Sequence, residues 1–203
     1  RTTYEGERLV NTTQVNYVDP LDRKQILEAD QELRHQMNII TDFLRKYVPG
    51  YEHCTIKTGA STLGIRESRR FSGKYVMNIS DLREARRFPD VVVHKAQFVV
   101  DIHNPVGGGQ ANGIAEYVDA YDIPWRSLVP RKMENLILAG RCISGTHEAM
   151  ASYRVMAIAM AIGEAAGIGA ALAIDHDVTP ENLDVKYIQK ALMDKGAVLF
   201  DEK

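Results

Sequence analysis

The first regular rhythm of apolar positions runs from Asp19 to Val48. In VNYVDPLDRKQILEADQELRHQMNIITDFLRKYVPGYE, the residues Leu33, Met37, Ile40, Leu44 and Val48 recur at intervals of 4, 3, 4 and 4, which keeps them on one face of a helix. Asp19 is read as its N-cap with Pro20 in the first turn, where a missing N–H costs nothing, and Pro49-Gly50 ends it. The pattern then shortens. CTIKTGASTLGIRESRRFSGKYVMN is a set of β-leaning pieces broken by Gly59, Gly64 and Gly73, and SDLREARRFPD reads as a short helix capped by Ser80 or Asp81. VVVH and AQFVVDIH are β-branched and too short for helices, so they predict buried strands running into the glycine-rich loop NPVGGGQANG. A further strand is expected near YDIPWRSLVP and an apolar one at ENLILAG. A last helix is capped by Asp184 and stopped at Gly196.

Between those last two elements lies the longest apolar run. Val155 to Ile174 spans 20 residues with Glu164 as the sole charge, a length sufficient to cross a bilayer. Eight of those residues are Ala and three are Gly, however, and neither flank carries a basic cluster or an aromatic belt. An acidic residue at mid-span would cost about 2.5–3.5 kcal/mol. The run therefore predicts a soluble helix buried on nearly all sides, with Gly163 and Gly167 admitting a second backbone at close range. A strand, a glycine turn at Gly140 and a helix follow one another here. That order turns free backbone N–H groups toward an anionic or carbonyl-bearing ligand, although any α/β protein turns a corner in the same way.

Composition narrows the classes. With 45% hydrophobic and 26% charged residues the chain is an ordinary globular one. A net charge of −2 gives no reason to expect nucleic acid or an anionic membrane as partner. Two cysteines, Cys54 and Cys142, do not make a disulfide framework and suit a reducing, cytoplasmic setting. The polar start RTTYEGERLVNTTQ is no signal peptide, and a first residue Arg1 rather than Met is what a fragment or processed product would have. The histidines lack metal-ligand spacing and His147-Glu148 is not H-E-x-x-H, so no metal is expected.

The wording of ENLILAGRCISGTHEAMASYRVMAIAMAIGEAAGIGAALAI is more specific than its periodicity. It resembles the C-terminal segment of the FAD-dependent oxidoreductases, two-domain flavoproteins, and YDIPWRSLVP, LGIRESRRFSGKYVMN and DFLRKYVPGYE resemble family segments in the same order. One departure is Ala151, where glycine is expected. The resemblance implies an α/β fold: an α+β substrate-side region over 1–130, the closing strand and helix of a Rossmann-like FAD-binding domain over 131–175, and a C-terminal helix and tail over 176–203. NLILAG would be the last strand of that domain, and Gly140-Arg141 would pass the ribityl and phosphate side of FAD. A helix from about Ser152 would aim its N-terminus at the pyrimidine end of the ring, where reduced flavin is negative. The implied cofactor-binding residues are Gly140, Arg141, Cys142, Ser144, His147, Glu148, Ser152, Arg154, Val155 and Met156. No complete G-x-G-x-x-G is present: Asn112 stands where Gly107-x-Gly109 needs its third glycine, and Leu172 where Gly167-x-Gly169 does. The expectation is a fragment of a larger flavoprotein, whose missing N-terminal FAD-binding segment holds the ADP half and is itself a partner.

Candidates for chemistry lie outside the long motif. His103 ends a buried strand beside the glycine loop. It is either a proton donor or acceptor during hydride transfer between FAD and a small organic substrate, or a structural histidine bonded to backbone. Arg66, Arg69 and Arg70 are either a solvated edge or holders of a carboxylate or the flavin. Tyr121, Trp125 and Arg126 are candidates for the substrate side, with a core role for Trp125 as the alternative. His103, Arg69 and Arg126 form the expected catalytic set. The rival expectation is a non-catalytic module that kept the fold and lost the cofactor. A homo-oligomer is compatible with either.

Overall fold

The computed structural model describes residues 4–102 and 115–201. Its packing divides the chain into two compact units, Arg1–Ser68 and Arg69–Lys203. The boundaries expected at 130/131 and 175/176 both fall inside the second unit.

The first unit is organised on one helix, α1 (Arg23–Tyr47). Its face is the one the spacing predicts. Ile26, Leu33, Met37, Ile40, Leu44 and Val48 are half-buried around a buried Ala29, whereas Leu27, Ile39, Phe43 and Tyr47 are exposed. The start differs. Asp22, not Asp19, is the N-cap, its carboxylate accepting from the Lys24 N–H at 2.8 Å and from the Gln25 side chain at 3.0 Å. The Asp19 carbonyl instead closes a turn by accepting from the Asp22 N–H at 3.1 Å, so the helical ladder begins only after that turn. At the far end the Val48 N–H reaches the Leu44 carbonyl, Pro49 offers no N–H, and Gly50 turns at φ +87°. Gly59 runs so close over the half-buried face that a Cβ there would lie 2.8 Å from the Met37 methyl.

The second unit contains α2 (Ile79–Arg83), β1 (Val91–Ala96), β2 (Tyr121–Pro124), α3 (His147–Tyr153), α4 (Met156–Asp175) and α5 (Val185–Asp194). Among the described residues its sheet is the antiparallel pair β1–β2, so the architecture is mixed α/β with a small sheet. Of AQFVVDIH, Ala96 ends β1 opposite Tyr121, and among the described residues after it Val100 bridges Glu116 without forming a second strand. The NLILAG segment is not a laddered strand: Asn135 is left-handed at φ +52°, Gly140 opens a turn, and between them the Leu138 N–H donates to the Leu128 carbonyl at 2.9 Å. A central strand needs a ladder on each side, and among the described residues none is hydrogen-bonded to 136–139 in that way. Residues 71–77 are tied by isolated bridges rather than a ladder: Gly73 pairs antiparallel with Pro130 through the Lys74 and Arg131 N–H groups, Met77 pairs parallel with Gly145 through its bonds to Ser144 and Thr146, and Phe71 and Tyr75 reach Cys142 and Arg126. The cap of α2 is Asn78 rather than Ser80 or Asp81. Asp81 sits at the third helical position and accepts from the Asn78 N–H at 2.9 Å, completing a capping box. α5 begins and ends as its sequence predicts, on Asp184 and with Gly196 at φ +93°.

The long apolar run corrects two expectations. Its helix does not extend back to Ser152: Arg154 closes α3 and Val155 is extended at ψ 153°, so α4 starts at Met156. Nor is it buried all round. Ile158, Ile162, Ala165, Gly169 and Ala173 are buried, at intervals of 4, 3, 4 and 4, while Met156, Met160 and Ile174 are 83%, 74% and 81% exposed. Its neighbours β1, α5 and the turn Gly140–Cys142 take up one stripe, and among the described residues no second layer covers the rest. By length and composition α4 is able to cross a membrane; its buried stripe nonetheless belongs to the core of this unit. Gly169 supplies the close approach expected of Gly163 and Gly167. A Cβ on Gly169 would lie 2.4 Å from Cη2 of the buried Trp125, whereas nothing lies within 4 Å of a Cβ on Gly163 or Gly167.

Candidate functional site

The ribbon from Ala139 to Glu148 has an anchored side and an open side. Ile143, Ser144 and Gly145 are buried. The Ser144 N–H donates to the Ser127 carbonyl at 3.0 Å, and its carbonyl accepts from the Met77 N–H at 3.1 Å. Arg70 Nε donates to the Gly145 carbonyl at 2.9 Å, and the Tyr153 hydroxyl to the Ile143 carbonyl at 3.1 Å. Burial pushes the Tyr153 phenol up, so it remains a donor. A Cβ on Gly145 would lie 2.6 Å from the Tyr153 hydroxyl oxygen, which reserves the position for glycine. The Ser144 hydroxyl is buried and has no hydrogen-bond partner among the described residues.

On the open side, Gly140 adopts φ +83° and begins a 3-10 turn, Gly140–Cys142, with empty space where a Cβ would project. Arg141, His147 and Glu148 are exposed and Cys142 is half-buried, its thiol donating to the Ala139 carbonyl at 3.3 Å. The Thr146 hydroxyl caps α3 through the Ala149 N–H. The Glu148 carboxyl is held below its ordinary value, chiefly by its own backbone N–H and then by the Thr146 hydroxyl. Beyond α3, the N-terminus of α4 has no side-chain cap, so its first-turn N–H groups and the positive end of a 20-residue dipole are uncommitted to any side chain. α4 packs against the Gly140–Cys142 turn. An open glycine backbone on a turn that packs against an uncapped helix suits an electron-rich, carbonyl-bearing or anionic group.

The remaining cofactor candidates divide. The Ser152 hydroxyl donates to the Phe98 carbonyl at 2.6 Å and accepts from the Tyr121 hydroxyl at 2.8 Å, both within the core. Burial raises the Tyr121 phenol to about 12. Arg154 Nη2 reaches Asp101 Oδ2 at 2.6 Å, the two side chains 14% and 16% exposed. That pair ties the break between α3 and α4 to the residues just before Ile102. Val155 and Met156 lie at the helix start, half-buried and exposed.

Of the expected catalytic set, His103 lies outside the described residues. Arg69 is exposed. Arg126 spends both prongs of its guanidinium on Asp90, at 2.8 and 3.0 Å, and stacks over Tyr75 at 5.4 Å. Asp90 raises the Arg126 pKa, and the Arg126 N–H adds a third bond to the same carboxylate at 3.2 Å. Trp125 is a core residue, its indole N–H directed at the Pro180 carbonyl. Asp90 and Asp101, the partners of Arg126 and Arg154, are absent from the expected site residues although they bracket the valine-rich stretch from Val91 to Val100. A carboxylate at the edge of a buried run needs a cationic partner, and that was the available signal. Among the described residues no group of three His, Cys, Asp or Glu is arranged to hold a metal ion.

The model of one family, the FAD dependent oxidoreductases, matches residues 1–192 of the chain. Comparison with curated proteins and with solved structures finds no match.

Proposed function

Because this chain belongs to the FAD-dependent oxidoreductase family, whose cofactor is FAD, we propose that the open side of the Gly140–Glu148 ribbon and the N-terminus of α4 hold the flavin. The single observation carrying this reading is the conjunction of Gly140 at φ +83°, unobstructed, with an uncapped helix packed beside it. Bound FAD supplies hydride-accepting and hydride-returning chemistry. The residues of this chain orient and bias it. Gly140 lets the backbone approach, since a side chain at that φ would be strained. Met156 and Ala157 present N–H groups to the electron-rich end of the ring. Arg141, Cys142, His147 and Glu148 line the open ribbon. Ser144 and Ser152 act from within, Ser144 by fixing the ribbon on Met77 and Ser127, Ser152 by fixing α3 on Tyr121. Arg154 positions the helix start through Asp101.

The substrate is a small organic molecule that exchanges a hydride with FAD, and His103 moves the accompanying proton. Arg69, exposed beside the anchoring Arg70, is the arginine available for a substrate carboxylate; Arg126, engaged by Asp90, is a positioning residue. The uncovered face of α4 is met by the FAD-binding segment of a longer cytoplasmic protein, which carries the dinucleotide fingerprint this chain lacks and opens the Rossmann-like domain that residues 131–175 close.

The test is flavin content after gel filtration of the protein carrying both segments. Gly140→Val is expected to strip most of the FAD while circular dichroism stays unchanged, and Arg141→Ala to weaken its retention. Full retention in both variants sinks the assignment. In the same protein, His103→Ala should slow anaerobic bleaching of the flavin by an accepted substrate without loss of bound FAD.

A further inference from the structure

β1 is irregular between Val93 and Ala96, and Lys95 sits at φ +53°, a left-handed conformation unfavourable for any side chain. Consecutive residues alternate across a regular strand. The kink brings two of them to one carboxylate: His94 Nδ1 lies 2.8 Å and the Lys95 N–H 3.3 Å from Asp122 Oδ1. Asp122 is 2% exposed and also holds Arg87 Nη1 at 3.2 Å and the Phe88 N–H at 3.4 Å. An ionised carboxylate only accepts, so His94 Nδ1 carries a hydrogen.

The other ring nitrogen has no such arrangement. The His94 side chain is 3% exposed, and its Nε2 is buried without a hydrogen bond, facing Asp201 Oδ1 at 3.6 Å. Asp201 belongs to the segment after α5, where Leu199, 3% exposed, is the apolar anchor. Asp201 also pairs with Lys95 and lies 4.0 Å from Arg87 Nε. Neutral His94 would aim a bare lone pair at the Asp201 carboxylate; the imidazolium aims an N–H at it.

We infer that residues 197–201 form a proton-dependent latch on β1, held while His94 bridges Asp122 and Asp201 as an imidazolium and loosened when the Nε2 hydrogen leaves. The charged groups facing the ring from the packed elements are Asp122 of β2, Arg87 of the α2–β1 connection, Lys95 of β1 and Asp201 of the latch itself. Lys95 holds the Asp201 carboxyl below its ordinary value, so Asp201 stays ionised wherever an imidazole titrates. An added hydrogen on His94 Nε2 gives the facing Asp201 carboxylate a donor that the neutral ring lacks, so the latch is closed at the acidic end and opens as pH rises. Lys95 and Arg87 keep their hold on Asp201 throughout, which limits opening to a loosening.

Nuclear magnetic resonance of the full chain tests this, following the His94 ring nitrogens and the Leu199 and Asp201 amides from about pH 5 to 8. The amides are expected to shift with the same midpoint as Nε2. Exchange of 197–201, corrected for intrinsic rates, should rise at least roughly twofold across that midpoint, since a pair with one partner buried is screened less than one between two exposed side chains. Asp201→Asn, at a site 55% exposed, retains an acceptor without the charge and should flatten the step in exchange. His94→Gln should remove the step altogether. Latch amides indifferent to the His94 titration overturn the inference, as does a step surviving in His94→Gln. Should His94→Gln not fold, an undiminished step in Asp201→Asn decides against the latch.

Discussion

The two faces of α4 are written in nearly the same residues and meet opposite surroundings. One face, Ile158, Ile162, Ala165, Gly169 and Ala173, is buried, and its glycine lies against the ring of Trp125. The other, with Met156, Met160, Gly163, Gly167 and Ile174, is open, and its two glycines touch nothing. Small apolar residues thus mean different things within one helix. On the first face they fit a shape already present in this chain, and on the second they leave room for something else.

Substitutions that break the comparison should differ in both size and sign. Ile162→Ala removes a fully buried side chain and is expected to cost about 2–4 kcal/mol in urea unfolding of the chain. A loss under about 0.5 kcal/mol would mean the stripe is not core in solution. Gly169→Ala comes next. It drives a Cβ into the indole and should cost about 1–3 kcal/mol through overpacking, with a change in Trp125 fluorescence. Gly163→Ala and Gly167→Ala are the smallest and reverse the sign. In the open face alanine gains helix propensity, so each should stabilise the chain by about 0.5–1 kcal/mol. In a longer protein where that face is covered, the same two changes are expected to lower stability or flavin content; no penalty there would argue that the face stays open.

How legible each part was follows from what decides it. α1 and α5 were readable because a 3.6-residue period and their terminators are local, and β1 because three consecutive valines permit little else. The caps were misjudged by two or three positions: Asp19 and Asp22 both offer a carboxylate, and the turn closed by the Asp19 carbonyl chooses between them. The burial of α4 was not legible, since alanine and glycine give the same pattern whether they face a core or a vacant side. The ribbon from Gly140 to Glu148 was recognisable from its wording, yet its division into anchored and open sides depends on Met77, Ser127 and Arg70, contributed from distant parts of the sequence. Arg126 looked available for substrate because Asp90, 36 positions away, is invisible to any local reading.

The interruption at Arg154 and Val155 separates two ladders of hydrogen bonds that would otherwise be one. A disturbance that melts the first turn of α4 therefore ends at Val155 and cannot unwind α3 residue by residue. The ribbon fixed to α3 through Tyr153 keeps its shape while the neighbouring helix start breathes. Rigidity on one side of the break and compliance on the other are thus set by a single extended residue.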